Sequence, residues 1–301
     1  KAEVELLIFN ITSNYYQAVL EKERLILFDS NVLLSNERLQ VARDKYELGK
    51  SSKLDFLQAQ VDLNTDKSQR LNQQQVLINT KLELSRLISK EMDEFTLVYN
   101  LSENETLILE TLLDGVENQN PQLTALKKQE LAFQYDERIN RGGIFPQVNL
   151  FAGYVHARSE TPAGFAVNNT SDDITYGLTA SWTLFNGFNT TRQIQNAKIQ
   201  KDVASYQYQD QLISIRTAIR QGFTTYNNSI QLMELEKENL NVARENNEIS
   251  KERYNIGLAT SLELREAQQN FLNAELRFQD AAFNSKIAAL ELKYLAGISI
   301  R

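Results

Sequence analysis

The stretch YELGKSSKLD, residues 46–55, is written a second time as YNIGLATSLE, residues 254–263. Tyr46, Gly49 and Leu54 return as Tyr254, Gly257 and Leu262, and Asp55 returns as Glu263, at a constant offset of 254 − 46 = 208. The register holds without a gap over 44–60 and 252–268, where Asp44/Glu252, Lys45/Arg253, Ala59/Ala267 and Gln60/Gln268 also match. Further on, Leu82-Glu83-Leu84 pairs with Leu290-Glu291-Leu292. Each copy carries a glycine, the residue that most easily ends a helix with positive φ. Three residues later comes Ser52-Lys-Leu-Asp55 or Thr260-Ser-Leu-Glu263, the form of a capping box that starts a new helix. The motif therefore reads as the elbow of a helical hairpin, present twice. Heptad helices resemble one another by chance, but chance does not readily align both glycine breaks and both caps.

Outward from the elbows the pattern is helical for long distances. The chain has 301 residues, 42% apolar, with only 3 Pro and 11 Gly, a composition that favours a few long elements. No glycine or proline precedes Gly49, and Leu25, Phe28, Val32, Ser35, Leu39, Ala42 and Tyr46 alternate spacings of three and four. That spacing predicts one buried seam along the first helix. A second helix is expected over about 52–88. In the later copy a helix is expected over about 190–255, roughly 100 Å long, with Leu212, Ile215, Ile219, Phe223, Tyr226 and Ile230 on one side. After Gly257 the alternation continues through Leu264, Ala267, Phe271, Ala274, Phe278, Ala281, Ser285, Ala288, Leu292 and Leu295.

The middle of the chain differs. Phe95-Thr-Leu-Val98 reads as extended, and Ser102-Glu-Asn-Glu105 as the cap of a short helix reaching about Leu113. Asn120-Pro121 starts another helix that stops at Gly142-Gly143. Past Pro146 the period changes to two. Val148, Leu150, Ala152 and Tyr154 share one face. After a polar loop Ile174, Tyr176, Leu178, Ala180, Trp182 and Leu184 alternate with Thr175, Gly177, Thr179, Ser181 and Thr183. Each run is about 10–12 residues, enough for a tilted strand to cross a bilayer. The alternation alone suits a half-buried soluble hairpin equally well. Two strands by themselves make a weak soluble sheet, however, so further strands are expected from other chains or from absent sequence.

Several function classes are excluded or disfavoured. A net charge of −7 offers no basic surface for nucleic acid. With no cysteine there is no disulfide framework and no thiolate metal site. His156 is the sole histidine and reads as a strand-end surface residue. Sequons such as Asn10-Ile-Thr12 are expected by chance in an Asn-rich chain. No nucleophile–base pair, phosphate loop or metal cluster stands out, so no catalysis and no cofactor are expected. No run of about 18 apolar residues exists, so no transmembrane helix is expected. The opening KAEVELLIFN is already helical in pattern, as it would be after removal of a leader or partway into a larger unit.

The two elbows, the NPQL helix start at 120–123, FPQVNL at 145–150 and WTLFNG at 182–187 resemble, in this order, the TolC family of outer-membrane efflux proteins. The resemblance covers nearly the whole chain. The fold expected is mainly α, with long antiparallel coiled-coil hairpins as staves of an α-barrel and one β-hairpin contributing to a membrane β-barrel. The expected divisions are a first-repeat helical hairpin (1–90), an equatorial linker (91–119), a helix entering the barrel (120–146), a β-hairpin (147–187) and a second-repeat helical hairpin (188–301). The resemblance implies a homotrimer in outer membrane lipid and periplasm of a Gram-negative-type cell. It also implies a periplasmic adaptor and an inner-membrane pump as partners, and the role of exit duct in tripartite efflux or type I secretion. Subtracting 208 from the second copy's strands gives negative positions. The first copy is therefore expected to lack its strand hairpin, the chain being a truncated form of a longer protein. Six strands from such a trimer close too small a barrel for a water channel, so this polypeptide alone is not expected to conduct.

By motif position the resemblance makes Asp55, Glu263 and Glu266 candidates for the periplasmic constriction, with capping as an equally direct reason for Asp55 and Glu263. Leu48-Gly49-Lys50 and Ile256-Gly257-Leu258 become candidates for adaptor docking, with a plain helix stop as the alternative. Two departures stand out: Ala259 fills the place of a basic residue that ties the family's mouth shut, and Lys50 replaces an apolar residue. Val148, Leu150, Tyr154, Ile174, Tyr176, Leu178, Trp182 and Leu184 are the candidate lipid-facing residues. A periplasmic coiled-coil adaptor or structural protein without a membrane barrel is the alternative function, disfavoured by the lack of many short strands. A cytoplasmic coiled-coil scaffold, which needs no bilayer-length strands, is a third.

Overall fold

A computed structural model describes residues 2–91, 96–98, 106–160 and 168–298. Seven helices and two strands follow in order: α1 (Ala2–Glu47), α2 (Lys53–Ile88), α3 (Leu109–Asp114), α4 (Val116–Gln119), α5 (Pro121–Gly142), β1 (Gln147–Glu160), β2 (Asn168–Ser181), α6 (Asn189–Asn255) and α7 (Ser261–Ala296). The mainly α hairpin architecture is the one expected. Phe95 and the proposed cap at Ser102 to Glu105 lie outside the described residues, while 96–98 belong to no regular element.

The chain divides into two compact units, Leu123–Gln211 and the remainder. In the larger, α1 packs on α2 and α7, and side chains join α6 to α7. Ala18, Val19, Leu20, Leu77, Leu84, Leu97 and Ala282 form an apolar cluster, with Tyr15, Tyr16, Met233 and Phe283 packed around it. The α7 seam follows the expected spacing, since Leu264, Ala267, Ala274, Ala281, Ser285, Ala288 and Leu292 are all buried. On α6 the buried Ile215, Ile219 and Tyr226 belong to the expected stripe.

The seam expected on α1 is corrected in its elbow-side half. There the buried residues are Asn31, Ser35, Arg38 and Ala42, and Tyr46 is 40% exposed. Only Ser35 and Ala42 were on the expected stripe. On the face toward α2 and α7, Ser35 and Arg38 find hydrogen-bonding partners on those helices, and apolar residues beside them such as Leu39 are left half-covered.

In the smaller unit, β1 and β2 pair antiparallel from Gln147↔Ser181 to Glu160↔Asn168. Directly paired residues share a face. Val148/Ala180, Leu150/Leu178, Ala152/Tyr176 and Tyr154/Ile174 therefore form one face and Asn149/Thr179, Phe151/Gly177 and Gly153/Thr175 the other. The register thus brings both apolar runs to a single side. Phe151 is the large residue on the polar side, and its ring lies where a Cβ on Gly177 would be, 2.6 Å from that position.

Each strand has 14 residues, and the expected end of β2 is corrected. Trp182 and Leu184 fall beyond Ser181, the last paired residue, because Pro146, next in line on the other strand, has no N–H to donate. Trp182 instead donates its indole N–H to the Ile144 carbonyl at 3.0 Å, and Asn186 turns the chain into α6 by accepting from the Asn189 N–H at 3.1 Å.

Candidate functional site

The two elbows are built from the same hydrogen bonds. At the first, the Gly49 N–H reaches the Tyr46 carbonyl (2.9 Å) and the Lys50 N–H that of Lys45 (2.8 Å). At the second, Gly257 reaches Tyr254 (3.2 Å) and Leu258 reaches Arg253 (2.8 Å). Both are Schellman motifs, which demand a left-handed residue past the helix end. Gly49 and Gly257 supply it with φ of 69° and 80°. The flanking Leu48, Ile256 and Leu258 are each about two-thirds exposed or more, at 70%, 71% and 67%. Three large apolar side chains thus stand in solvent at the hairpin ends.

Both capping boxes close as the spacing predicts. The Asp55 carboxylate accepts from Ser51 Oγ (2.8 Å), Ser52 Oγ (2.9 Å) and the Ser52 N–H (3.3 Å), while the Asp55 N–H donates to Ser52 Oγ. Glu263 accepts from the Thr260 N–H at 2.6 Å and donates its own N–H to Thr260 Oγ1. These bonds stabilise the charged form. Side-chain donation from Ser51 and Ser52 lowers the Asp55 pKa, and the Thr260 backbone and hydroxyl lower that of Glu263. Glu266 is exposed on the next turn of α7. A lysine spans the two elbow regions: Lys45 Nζ sits 3.7 Å above the Tyr254 ring and donates to the Tyr254 carbonyl at 3.2 Å.

Beyond the capping box of α2, and beside Glu266 on α7, lies a cluster that the sequence reading missed. Asp66 is fully buried and accepts from Ser35 Oγ, Arg265 Nη1 (2.8 Å) and Arg265 Nη2 (2.9 Å). Arg38, 2% exposed, donates to Gln268 Oε1 at 2.7 Å and to Asp62 at 3.1 Å. Two guanidiniums and two carboxylates thus balance among α1, α2 and α7. Burial and the neighbouring Arg265 lower the Arg38 pKa. Burial also acts to lower that of Arg265, but hydrogen bonds to Asp66 and the charges of Asp66 and Asp62 outweigh it, so the net shift is upward. A signal did exist in the sequence, because the duplication fails here. Position 66 + 208 = 274 is alanine, and 265 − 208 = 57 is leucine.

The candidate lipid-facing side chains stand free: Leu150 is 81% exposed, Tyr176 82% and Ile174 75%. At the far end of that face Tyr154 Oη donates to Asp172 Oδ1, which also contacts His156 Nδ1, both at 2.6 Å. Among the described residues there is no cluster suited to a metal ion, and no helix is long and apolar enough to cross a membrane.

Known proteins share this arrangement. The proteases secretion protein PrtF of Dickeya chrysanthemi is 22% identical over 304 residues, covering 97% of this chain and 64% of that protein. The outer membrane channel CmeC of Campylobacter jejuni has the same fold, with a TM-score of 0.80 at 18% identity over 98% of this chain and 63% of that one. So has the MtrE outer membrane channel of Neisseria gonorrhoeae in its open state, with a TM-score of 0.80 at 13% identity over 99% and 68%. The chain spans just under two thirds of the length of PrtF and of CmeC. Residues 112–298, well over half of the chain, match the model described as outer membrane efflux protein. The adaptor and scaffold alternatives are thereby set aside: the chain belongs to the outer membrane efflux protein family.

Proposed function

We propose that this chain forms staves of a trimeric exit duct crossing the outer membrane and periplasm, a passive conduit for an efflux or type I secretion system. One observation carries the reading. Two long helical hairpins whose elbows share one hydrogen-bond pattern share a chain with a β-hairpin most of whose large apolar residues lie on one exposed face. Rods of this kind need neighbours to complete a wall, and the β-hairpin needs other strands and lipid to cover it. The elbows, with Leu48-Gly49-Lys50 and Ile256-Gly257-Leu258, are the periplasmic end and the surface for a helical adaptor, which links the duct to an inner-membrane pump that supplies the energy. Asp55, Glu263 and Glu266, three copies of each, form a negative constriction that favours cations. The capping bonds of Asp55 and Glu263 are compatible with that role, since they hold each carboxylate charged and fixed at a helix start.

The test is fractionation of cells producing the full-length protein, followed by native mass spectrometry of the detergent-extracted material. Recovery as a trimer from outer membranes washed with alkaline carbonate is expected. Recovery in the soluble periplasmic fraction would overturn the proposal in favour of a coiled-coil protein without a barrel.

A further inference from the structure

We infer that Phe151, recessed against Gly177, is a contact site on the polar face of the β-hairpin for an organic cation with an apolar or aromatic body. The assignment of that face to the lumen wall rests on the duct reading. Its paired residues are Asn149/Thr179, Phe151/Gly177, Gly153/Thr175 and Val155/Asp173. Small polar side chains and glycine suit a wall that faces water. A single apolar residue in water needs no explanation by itself. What marks this one is the glycine directly opposite.

The outer end of the Phe151 ring fills the space of a side chain at 177. A Cβ there would stand 2.6 Å from Phe151 Cζ and 2.9 Å from Cε1. Side chains ordinarily stand upright from a sheet, whereas this ring leans across the partner strand and rests over Gly177. Glycine inside a strand weakens it, and an aromatic ring laid over it from a neighbouring strand recovers part of that loss. Covering and contact are compatible roles: the glycine holds one side of the ring, and the other stays bare. Phe151 is 51% exposed. On the next pair Gly153 has no side chain, and Thr175 turns its hydroxyl back to the Gly153 carbonyl at 3.4 Å. The wall beside the ring is therefore open.

Charge selects the ligand. The face of a phenyl ring carries negative potential and attracts a cation within about 6 Å of its centre. Two pairs further along the same face, about 13 Å by strand rise, Asp173 presents an exposed carboxylate. Its neighbour Asp172, on the opposite face, is tied to Tyr154 and His156. Asp173 has no ion-pair partner among the described residues. Ring and carboxylate both favour a positive ligand and repel an anion of the same shape.

The test uses the full-length trimer in planar bilayers, with benzyltrimethylammonium and benzenesulfonate as probes of similar size and opposite charge. The cation is expected to block the current. Phe151→Leu, which keeps an apolar cover over Gly177, is expected to raise the half-blocking concentration about two- to fivefold, the size of one exposed cation–π contact. Phe151→Tyr is expected to retain the natural value. Asp173→Asn is expected to weaken block only in dilute salt, because its separation from the ring exceeds the Debye length of about 8 Å at physiological ionic strength. Equilibrium dialysis of benzyltrimethylammonium against the detergent-purified trimer gives the same comparison without a current. Should Phe151→Leu fail to assemble, Phe151→Leu with Gly177→Ala, which refills the vacated space, replaces it. Equal block or binding in Phe151→Leu and the natural protein overturns the inference and leaves Phe151 as a cover for Gly177 alone. Block by benzenesulfonate at the same concentrations, with the same dependence on Phe151, overturns the choice of a cation. Binding that depends on Phe151 in a trimer that carries no current sustains the site and refutes the duct.

Discussion

Gly297→Ala separates the cost of a backbone conformation from the cost of a close approach. Gly297 ends α7 with φ of 73° and donates its N–H to the carbonyls of Lys293 and Tyr294. An L-residue there pays about 1–2 kcal/mol for left-handed backbone. A Cβ would also stand 2.5 Å from the Gln119 carbonyl carbon and 2.6 Å from the Asn120 nitrogen, where non-bonded carbons prefer about 3.5–4.0 Å. The atoms in the way are backbone, so no side chain can swing aside. They are also pinned: Asn120 Oδ1 accepts from the Gln122 N–H, and its Nδ2 donates to the Leu295 carbonyl, both at 2.9 Å. Moving this junction by about 1 Å adds overpacking of about 1–3 kcal/mol. Gly257→Ala is the matched control, with φ of 80° and nothing within 4 Å of the new Cβ. It is expected to incur only the backbone term. Thermal unfolding of the two variants, followed by helical circular dichroism in one detergent, gives the comparison. A Gly297→Ala midpoint that falls no further than that of Gly257→Ala refutes the reasoning.

Glu275 on α7 has its pKa raised by burial, with Arg244 offsetting part of the shift. The folded protein thus holds a proton that the unfolded chain has released, so stability falls as pH rises from the ordinary value of 4.5 through the raised one. Glu275→Gln is expected to flatten that segment of a plot of melting temperature against pH, and an unchanged slope counts against it. Asp55 and Glu263, with lowered values, act in the opposite sense: their contribution is present above the ordinary carboxylate range and is lost as pH falls through the folded pKa. In planar bilayers Asp55→Asn with Glu263→Gln is expected to lower the cation-to-anion permeability ratio of the full-length trimer, and an unaltered ratio removes both residues from the constriction. Leu178→Lys and Thr179→Lys place the same charge on opposite faces of β2. The first is expected to cost about 2–4 kcal/mol in lipid and to reduce the trimer in outer membranes, the second to be tolerated, and equal yields argue against the assigned lipid face.

What was legible in the sequence follows from how local each cause is. The elbows and caps depend on residues within one turn, Gly49 with Ser52 and Asp55, or Gly257 with Thr260 and Glu263, so spacing alone reveals them. The faces of β1 and β2 were legible because a period of two leaves no choice once one residue is assigned. The upper end of β2 was not, since its pairing begins at Asn168 among polar residues with no apolar rhythm. Its lower end was misread because Trp182 and Leu184 continue the rhythm past the point where Pro146 ends the pairing. The stripe through Asn31, Ser35 and Arg38 was hidden for a different reason. Apolar spacing locates a buried face only when burial is driven by apolar contact, and here the partners Asp62, Asp66, Arg265 and Gln268 lie 24 to 230 residues away.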